Sequence, residues 1–356
     1  MQGIHHDSVP VTAAALRAMG AGVLQAHGLP RGDAEYVAWH LVETNLRGTD
    51  SHGIARLPHY VRRLQGGSIL PRPEMKFNQL APATGTLDGG HGFGHLVMRR
   101  AEEEAARLAE TAGAGWVAVS HSSHCGALAP YGLRLAERGM IGIVFSHVDP
   151  MVLPHGARAP FGGTNPVCLT APGERGQALC LDMATSIVPW NVVANAAQEG
   201  VPIPRGWAVD REGRDTTDAR AVHALYPFGA HRGSGLGLMI DVLCSLLSGA
   251  PFGPDIPKMY GDMTEHRRLG GLVGAISIRS FTPLETFTAR ATELMARLGA
   301  LPPAAGTDRV RYPGEIELET KAVREREGIP VGANVFAELN QLAQAAGVAP
   351  LRAIPS

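Results

Sequence analysis

Apolar positions recur at helical spacing through the first 66 residues, and the texture changes after residue 77. Within the helical stretch, Ser8 is read as the cap of a helix through 13–19, and Asp33 as the cap of another over 34–45. Residues 49–52 form a polar break. Ile54, Leu57, Tyr60, Val61 and Leu64 then resume the helical period. Gly66-Gly67 and the Pro71/Pro73 pair end that helix and read as a linker.

Beyond it, 101–111 is an amphipathic helix and 116–119 a short buried strand, with a helix at 128–138 and a second buried strand at 141–145. Strands are expected at 166–171 and 179–181, and a helix from Asp182 until the prolines near 204. The apolar run 236–247 predicts a buried helix, 272–278 a strand, and 283–298 and 334–346 helices, the last two separated by a turn-rich stretch at 306–313. The pattern gives a central α/β segment flanked by helices. The expected domains are a helical part at 1–75, an α/β part at 76–282 and a return to the helical part at 283–356.

Composition narrows the class. The 32 Lys+Arg against 33 Asp+Glu leave a net charge of -1, and no basic block appears, so no nucleic-acid partner is expected. No charged leader precedes an apolar run, and the run at 236–247 is broken by Gly237, Asp241 and Ser245. The expectation is a cytoplasmic chain with no membrane span. Cys125, Cys168, Cys180 and Cys244 are widely spaced, which fits reduced thiols rather than a disulfide framework.

Four polar clusters carry candidate chemistry. Ser51-His52-Gly53 with Arg56 and Tyr60 places an imidazole, a guanidinium and a phenol at successive i, i+4 positions. Such a face suits a carboxylate substrate, with a bidentate arginine and a proton-carrying histidine; a solvated helix face is the alternative. His121-Ser122-Ser123-His124-Cys125 follows a strand, where catalytic side chains are often presented. A structural turn, or a metal site of His121, His124 and Cys125 in a hydrolase, are the other readings. Asp149, in Ser146-His147-Val148-Asp149-Pro150, could support a catalytic histidine or simply open an Asp-Pro turn. Asp182-Met183-Ala184 could meet a phosphate or ribose, or Asp182 could cap a helix. Arg232 sits in a glycine-rich stretch, Gly233-Ser234-Gly235-Leu236-Gly237, that lacks the surroundings of a Rossmann fingerprint.

These segments together resemble the malate/L-lactate dehydrogenase-like oxidoreductases, a family distinct from the Rossmann enzymes of similar name. The resemblance rests on "SHGIARLPHYVRRLQGG" at 51–67, "HSSHCGALAPYG" at 121–132, "DPMVLPHGA" at 149–157, "GTNPVCLTAPG" at 163–173, "LDMATS" at 181–186, "HRGSGLGLMIDVLCSLLSGAPFG" at 231–253 and "YPGE" at 312–315. Segments 207–227 and 239–263 narrow it to the ureidoglycolate-oxidising branch. The resemblance implies a mixed, largely antiparallel sheet wrapped by helices, a discontinuous helical domain built from both termini, a homodimer, and NAD (or NADP) in a non-Rossmann cleft. Its substrate would be a small 2-hydroxy or 2-oxo acid; malate, lactate, sulfolactate or a cyclic imino acid are the alternatives. By the same resemblance His124 moves the proton with Asp149 nearby, and His52 is a second proton carrier. Ser51, His52, Arg56, Tyr60 and His124 hold substrate. Val148, Asp182, Met183, Ala184, Arg232, Gly314 and Glu315 meet the cofactor, and no metal is implied. Val148 stands where that branch has serine, and Arg232 replaces a lysine.

Overall fold

The computed structural model describes residues 8–354; the outermost residues of the expected terminal segments, 1–7 and 355–356, lie outside these. The strands in chain order are β1 (Ser8–Val11), β2 (Lys76–Ala81), β3 (Thr84–Asp88), β4 (Ala114–Ser122), β5 (Met140–Ser146), β6 (Val167–Pro172), β7 (Ala178–Met183), β8 (Ala208–Val209), β9 (Ala224–Leu225), β10 (Leu269–Ser277) and β11 (Ile329–Gly332). The helices are α1 (Ala13–Ala26), α2 (Arg31–Leu46), α3 (Leu57–Gln65), α4 (Gly94–Ala112), α5 (Ala129–Glu137), α6 (Trp190–Glu199), α7 (His231–Asp241), α8 (Leu284–Gly299), α9 (Glu315–Glu327) and α10 (Ala333–Ala345).

Seven strands form the main sheet in the order β2-β3-β4-β10-β5-β6-β7. Every neighbouring pair is antiparallel except β3 and β4, which are joined by α4 as a parallel crossover. One such unit is not a Rossmann sheet, which needs a run of parallel strands. The late strand β10 fills the centre, with Val273 opposite Val117 on one side and Val144 on the other. Helix α4 turns Val97, Ala101, Ala105, Leu108 and Ala109 into the core, the i, i+4, i+8 stripe that its sequence shows. A separate apolar cluster joins α1, α2 and α3 to β11 and α10, so the two ends of the chain are packed together.

Several local expectations are corrected. Ser8 lies in β1, paired with β11, and Thr12 caps α1 by accepting from the Ala15 amide at 3.2 Å. Helix α2 starts at Arg31 behind Pro30, so Asp33 lies in its first turn, where a carboxylate favours the positive end of the helix. Asp182 and Met183 end β7, and no helix begins before Trp190, because the backbone from Thr185 to Ile187 pairs with neighbouring segments instead. The apolar stretch 236–247 is helical and buried on one face only: Ile240 and Cys244 are enclosed, while Leu238, Met239, Leu246 and Leu247 are each more than half exposed. Among the described residues, no element covers that face. Periodicity also missed α9, which is polar on all sides and buries no residue, and the short strands β1, β2, β3 and β11.

Candidate active site

The ends of β4, β5 and β7 open onto a cavity of about 550 Å³, within the range of about 300–1,000 Å³ usual for small-molecule and cofactor sites. His52, Arg56, His124, Val148, Asp149, Asp182, Met183 and Ala184 all reach its wall. Ser51 lines it too, while Tyr60 lies directly behind, with no exposed surface.

His124 is presented by the loop that leaves β4. The start of α4 packs against that loop: the Gly94 amide donates to Ser123 Oγ at 2.8 Å, and a Cβ on Gly94 would stand 2.2 Å from the Ser123 carbonyl oxygen. Only glycine permits this approach. Gly126, at φ +74°, turns the chain beneath the imidazole. Tyr60 and His124 share a hydrogen bond of 2.7 Å at Nδ1, which the Gly126 amide approaches at 3.4 Å, and Nε2 has no protein partner. Burial holds the His124 imidazole well below its ordinary value, with His52 and Arg56 adding to the effect. The ring is therefore neutral at pH 7 and able to accept a proton.

The expected single helical face carrying His52, Arg56 and Tyr60 does not exist. Residues Asp50–His52 and Ile54–Arg56 are separate 3-10 turns, and α3 begins only at Leu57. Asn45 pins the break, accepting from the Ile54 amide at 2.7 Å and donating to Asp50 at 2.6 Å. The residues converge nonetheless. His52 stacks on His124 with ring centroids 5.6 Å apart, and the Tyr60 ring stacks on His124 at 6.0 Å. Burial and Arg56 push the His52 imidazole down to about 4. Arg56 is aimed by two contacts, from Nε to the Ser51 carbonyl at 2.7 Å and from Nη1 to the Tyr260 hydroxyl at 2.5 Å, leaving Nη2 without a protein partner.

Asp149 is close to the cavity but is held by other groups. Its carboxylate accepts from Arg267 at 2.5 Å and from the Met259 amide at 3.2 Å, and no hydrogen bond links it to His124. The buried Asp–His pair in this structure is a different one, His147 Nδ1 with Asp241 at 2.8 Å. Asp182 caps a helix, as one reading allowed, but the helix is α5: Oδ2 accepts from the Leu128 and Ala129 amides at 3.0 and 2.7 Å. Its carboxyl is exposed to the cavity, whose walls keep it from bulk water; that outweighs the two amides and pushes it up to about 6. Oδ1 keeps a free acceptor position.

Arg232, Gly314 and Glu315 do not line the cavity. Arg232 is exposed at the start of α7, Gly314 packs against Cys180 of β7, and Glu315 pairs with Arg309 at 3.0 Å. His121 pairs with Asp88 at 3.1 Å. Among the described residues no group of three or more His, Cys, Asp or Glu is arranged to hold a metal ion. Sequence reasoning missed Arg47, Asn191 and Tyr260 in the wall and Arg267 behind it. Asn191, Tyr260 and Arg267 carry no local signal, because each arrives from a segment distant in the chain, whereas Arg47 lies only four residues before Ser51 and was overlooked.

The family model of malate/L-lactate dehydrogenase matches residues 11–340. A ureidoglycolate dehydrogenase (NAD(+)) of Escherichia coli O157:H7 is 36% identical over 309 residues, covering 87% of this chain and 88% of that enzyme. A malate dehydrogenase of Pyrococcus abyssi is 36% identical over 336 residues, covering 92% of each. Among solved structures, malate dehydrogenase from Pyrococcus horikoshii superposes with a TM-score of 0.90 at 31% identity over 99% of both chains. The chain belongs to the malate/L-lactate dehydrogenase family, and it is an oxidoreductase of the non-Rossmann kind.

Proposed function

We propose that the protein oxidises the hydroxyl-bearing carbon beside a carboxylate in a small 2-hydroxy acid, or reduces the matching 2-oxo acid, with NAD as the hydride carrier. Ureidoglycolate is the first-choice substrate, on the strength of the similarity to an NAD(+)-dependent ureidoglycolate enzyme. The observation that carries the reading is the placement of two groups in one cavity: His124, with Nε2 unengaged and Nδ1 on Tyr60, and Arg56, with Nη2 unengaged.

The donor set fits a dinucleotide. Asp182 Oδ1 is a free acceptor for a ribose hydroxyl, Arg47 brings a cation to the wall, and Val148, Met183 and Ala184 offer apolar surface. The bound nicotinamide supplies the hydride acceptor or donor. The protein does the rest. Arg56 grips the carboxylate, and His124 takes the hydroxyl proton on Nε2 as hydride leaves, returning it in the reverse direction. Acid/base help of this kind is worth about a hundred- to ten-thousand-fold. His52 completes the polar pocket. Asp149, engaged with Arg267, positions the segment bearing Met259 and Tyr260 rather than charging His124 directly.

The exposed apolar face of α7 and the turn after it fits a second copy of the chain, so the working form is read as a homodimer, and as a cytoplasmic one. A panel of ureidoglycolate, malate, lactate, sulfolactate and a cyclic imino acid, each with NAD and NADP, tests the assignment by the change in reduced-nicotinamide absorbance. Turnover of ureidoglycolate with NAD by a dimer in sedimentation is expected. Turnover of the imino acid alone would move the protein to the reductases of this scaffold, and no turnover of any would end the dehydrogenase reading.

A further inference from the structure

Behind the site, buried polar atoms without a well-formed hydrogen bond lie along one seam: both ring nitrogens of His95, the Tyr36 hydroxyl, Glu102 Oε1 and the ring nitrogens of His40, which feels only a weak pull from the Ala127 carbonyl. Tyr36 and His40 are one turn apart on α2, and His95 and Glu102 two turns apart on α4, so each pair shares a face. The seam starts at the catalytic group. Tyr60, bonded to His124, meets His95 edge-on at 5.3 Å; His95 meets His40 edge-on at 4.6 Å; His40 lies 6.4 Å from Tyr36. It ends at Arg134, which stands over the Tyr36 ring, bonds Glu102 Oε2 at 2.8 Å and is one-third exposed. The inner end closes against the site loop, since a Cβ on Gly126 would stand 2.7 Å from His95 Nε2.

Native proteins satisfy buried polar atoms, if necessary with ordered water. Two facing helices gain nothing in packing from two imidazoles, a phenol and a carboxyl where leucine would fit. Oxidation of an alcohol, in turn, leaves a proton on His124, on the side of the cavity that bound substrate and cofactor would close. We propose that the seam from Tyr60 through His95, His40 and Tyr36 to Glu102 holds a file of water and is the route by which that proton leaves the site.

This rests on the dehydrogenase reading above. The O–H bond of the substrate breaks as an N–H bond forms at His124 Nε2. With the resting imidazole in its Nδ1–H tautomer, the Nδ1 proton passes to the Tyr60 oxygen and the Tyr60 proton to the first water of the seam, and the ring turns over to recover that tautomer before the next substrate binds. The last water protonates Glu102 Oε1, which releases the proton to solvent beside Arg134. One proton enters and one leaves, and no electrons move along the seam; reduction runs the same path inward. The titration of its members fits the task. Burial holds His40 down to about 3, against a small opposing pull from the Ala127 carbonyl, and holds His95 well below its ordinary value. Both are neutral, able to take a proton on one nitrogen while giving from the other. Burial pushes Glu102 up to about 7 despite Arg134 of α5 and Arg138 just beyond it, with Glu103 of α4 adding to the rise and Tyr36 of α2 alongside. A carboxyl in that range takes and returns a proton at neutral pH.

Glu102→Gln and Tyr36→Phe change almost no volume, and His95→Phe blocks the inner end. In each, kcat is expected to fall about ten-fold or more with KM and NADH affinity unchanged, the solvent deuterium isotope effect on kcat to rise, and formate to restore part of the Glu102→Gln rate. A high-resolution crystal structure should show water in the seam. Unchanged kcat and isotope effect in Glu102→Gln and Tyr36→Phe, with a wild type that turns over its substrate, would overturn the route alone. So would a dry seam. A wild type inert toward the whole substrate panel would overturn the dehydrogenase reading and the route with it.

Discussion

His124 and His147 follow two strands that flank the same central strand, β4 and β5 on either side of β10, yet the protein uses them in opposite ways. His147 is fully buried and both nitrogens are engaged: Nδ1 donates to Asp241, and Nε2 accepts from the Gly270 amide at 2.8 Å. It ties β5, β10 and the end of α7 together. His124 has one nitrogen on Tyr60 and the other open to the cavity. What separates a structural imidazole from a reactive one here is whether a nitrogen is left for a ligand. Neither the residue type nor a carboxylate partner makes the distinction, since the histidine with the carboxylate is the structural one.

The sharpest way to break this comparison is to remove each ring in turn. His124→Ala should lower kcat by about a hundred-fold or more while melting temperature and cofactor affinity stay near wild type. His147→Ala should do the reverse. It strands the Asp241 carboxylate and the Gly270 amide in the core, at about 1–3 kcal/mol for each unsatisfied group, so the melting temperature falls while the folded fraction keeps its turnover. Equal loss of turnover in both variants, at temperatures where both are folded, would erase the distinction.

A smaller effect follows from histidines that stay neutral in the fold. Burial holds His40 and His59 each down to about 3, against about 6.5 for an unfolded chain. Below that higher value the unfolded state binds protons that the folded state refuses, so stability is complete above about pH 6.5 and declines as pH falls toward 3. The loss is about 1.4 kcal/mol per pH unit for each such histidine. Thermal unfolding across pH 7 to 4 measures it. A melting temperature that stays level over that span would mean these rings take up protons without unfolding the chain. Smallest of the three, Arg56→Lys should raise KM several-fold with kcat little changed, because lysine keeps the charge but loses the fork. An unchanged KM would place the carboxylate elsewhere.

Much of this was legible in the chain. The buried strands β4, β5, β6, β7 and β10 and the helices α4, α5, α8 and α10 follow from apolar periodicity, which burial enforces wherever one face meets a core. His124, Asp182 and Arg56 all stand out as candidates, because polar clusters that interrupt apolar runs mark the ends of elements, strands for the first two and a helix for the third. The covering of α7 was misread, since an apolar run records that burial is wanted and not which surface supplies it. The terminal strands β1 and β11 are four residues each and pair across almost the whole chain, a span that no local window contains.

The sequence by itself determined the class of chemistry: imidazole, guanidinium and carboxyl groups placed in polar breaks between apolar elements, in an order that one family shares. Only tertiary structure decided the partners. Asp149 sits 25 positions from His124 and pairs instead with Arg267, which lies 118 residues away along the chain. Tyr60 reaches His124 over 64 residues, and two helices remote from both motifs enclose the polar seam behind them. Residue type sets what a group is able to do and is written locally. Which hydrogen bond it makes depends on distances in space that sequence separation does not encode.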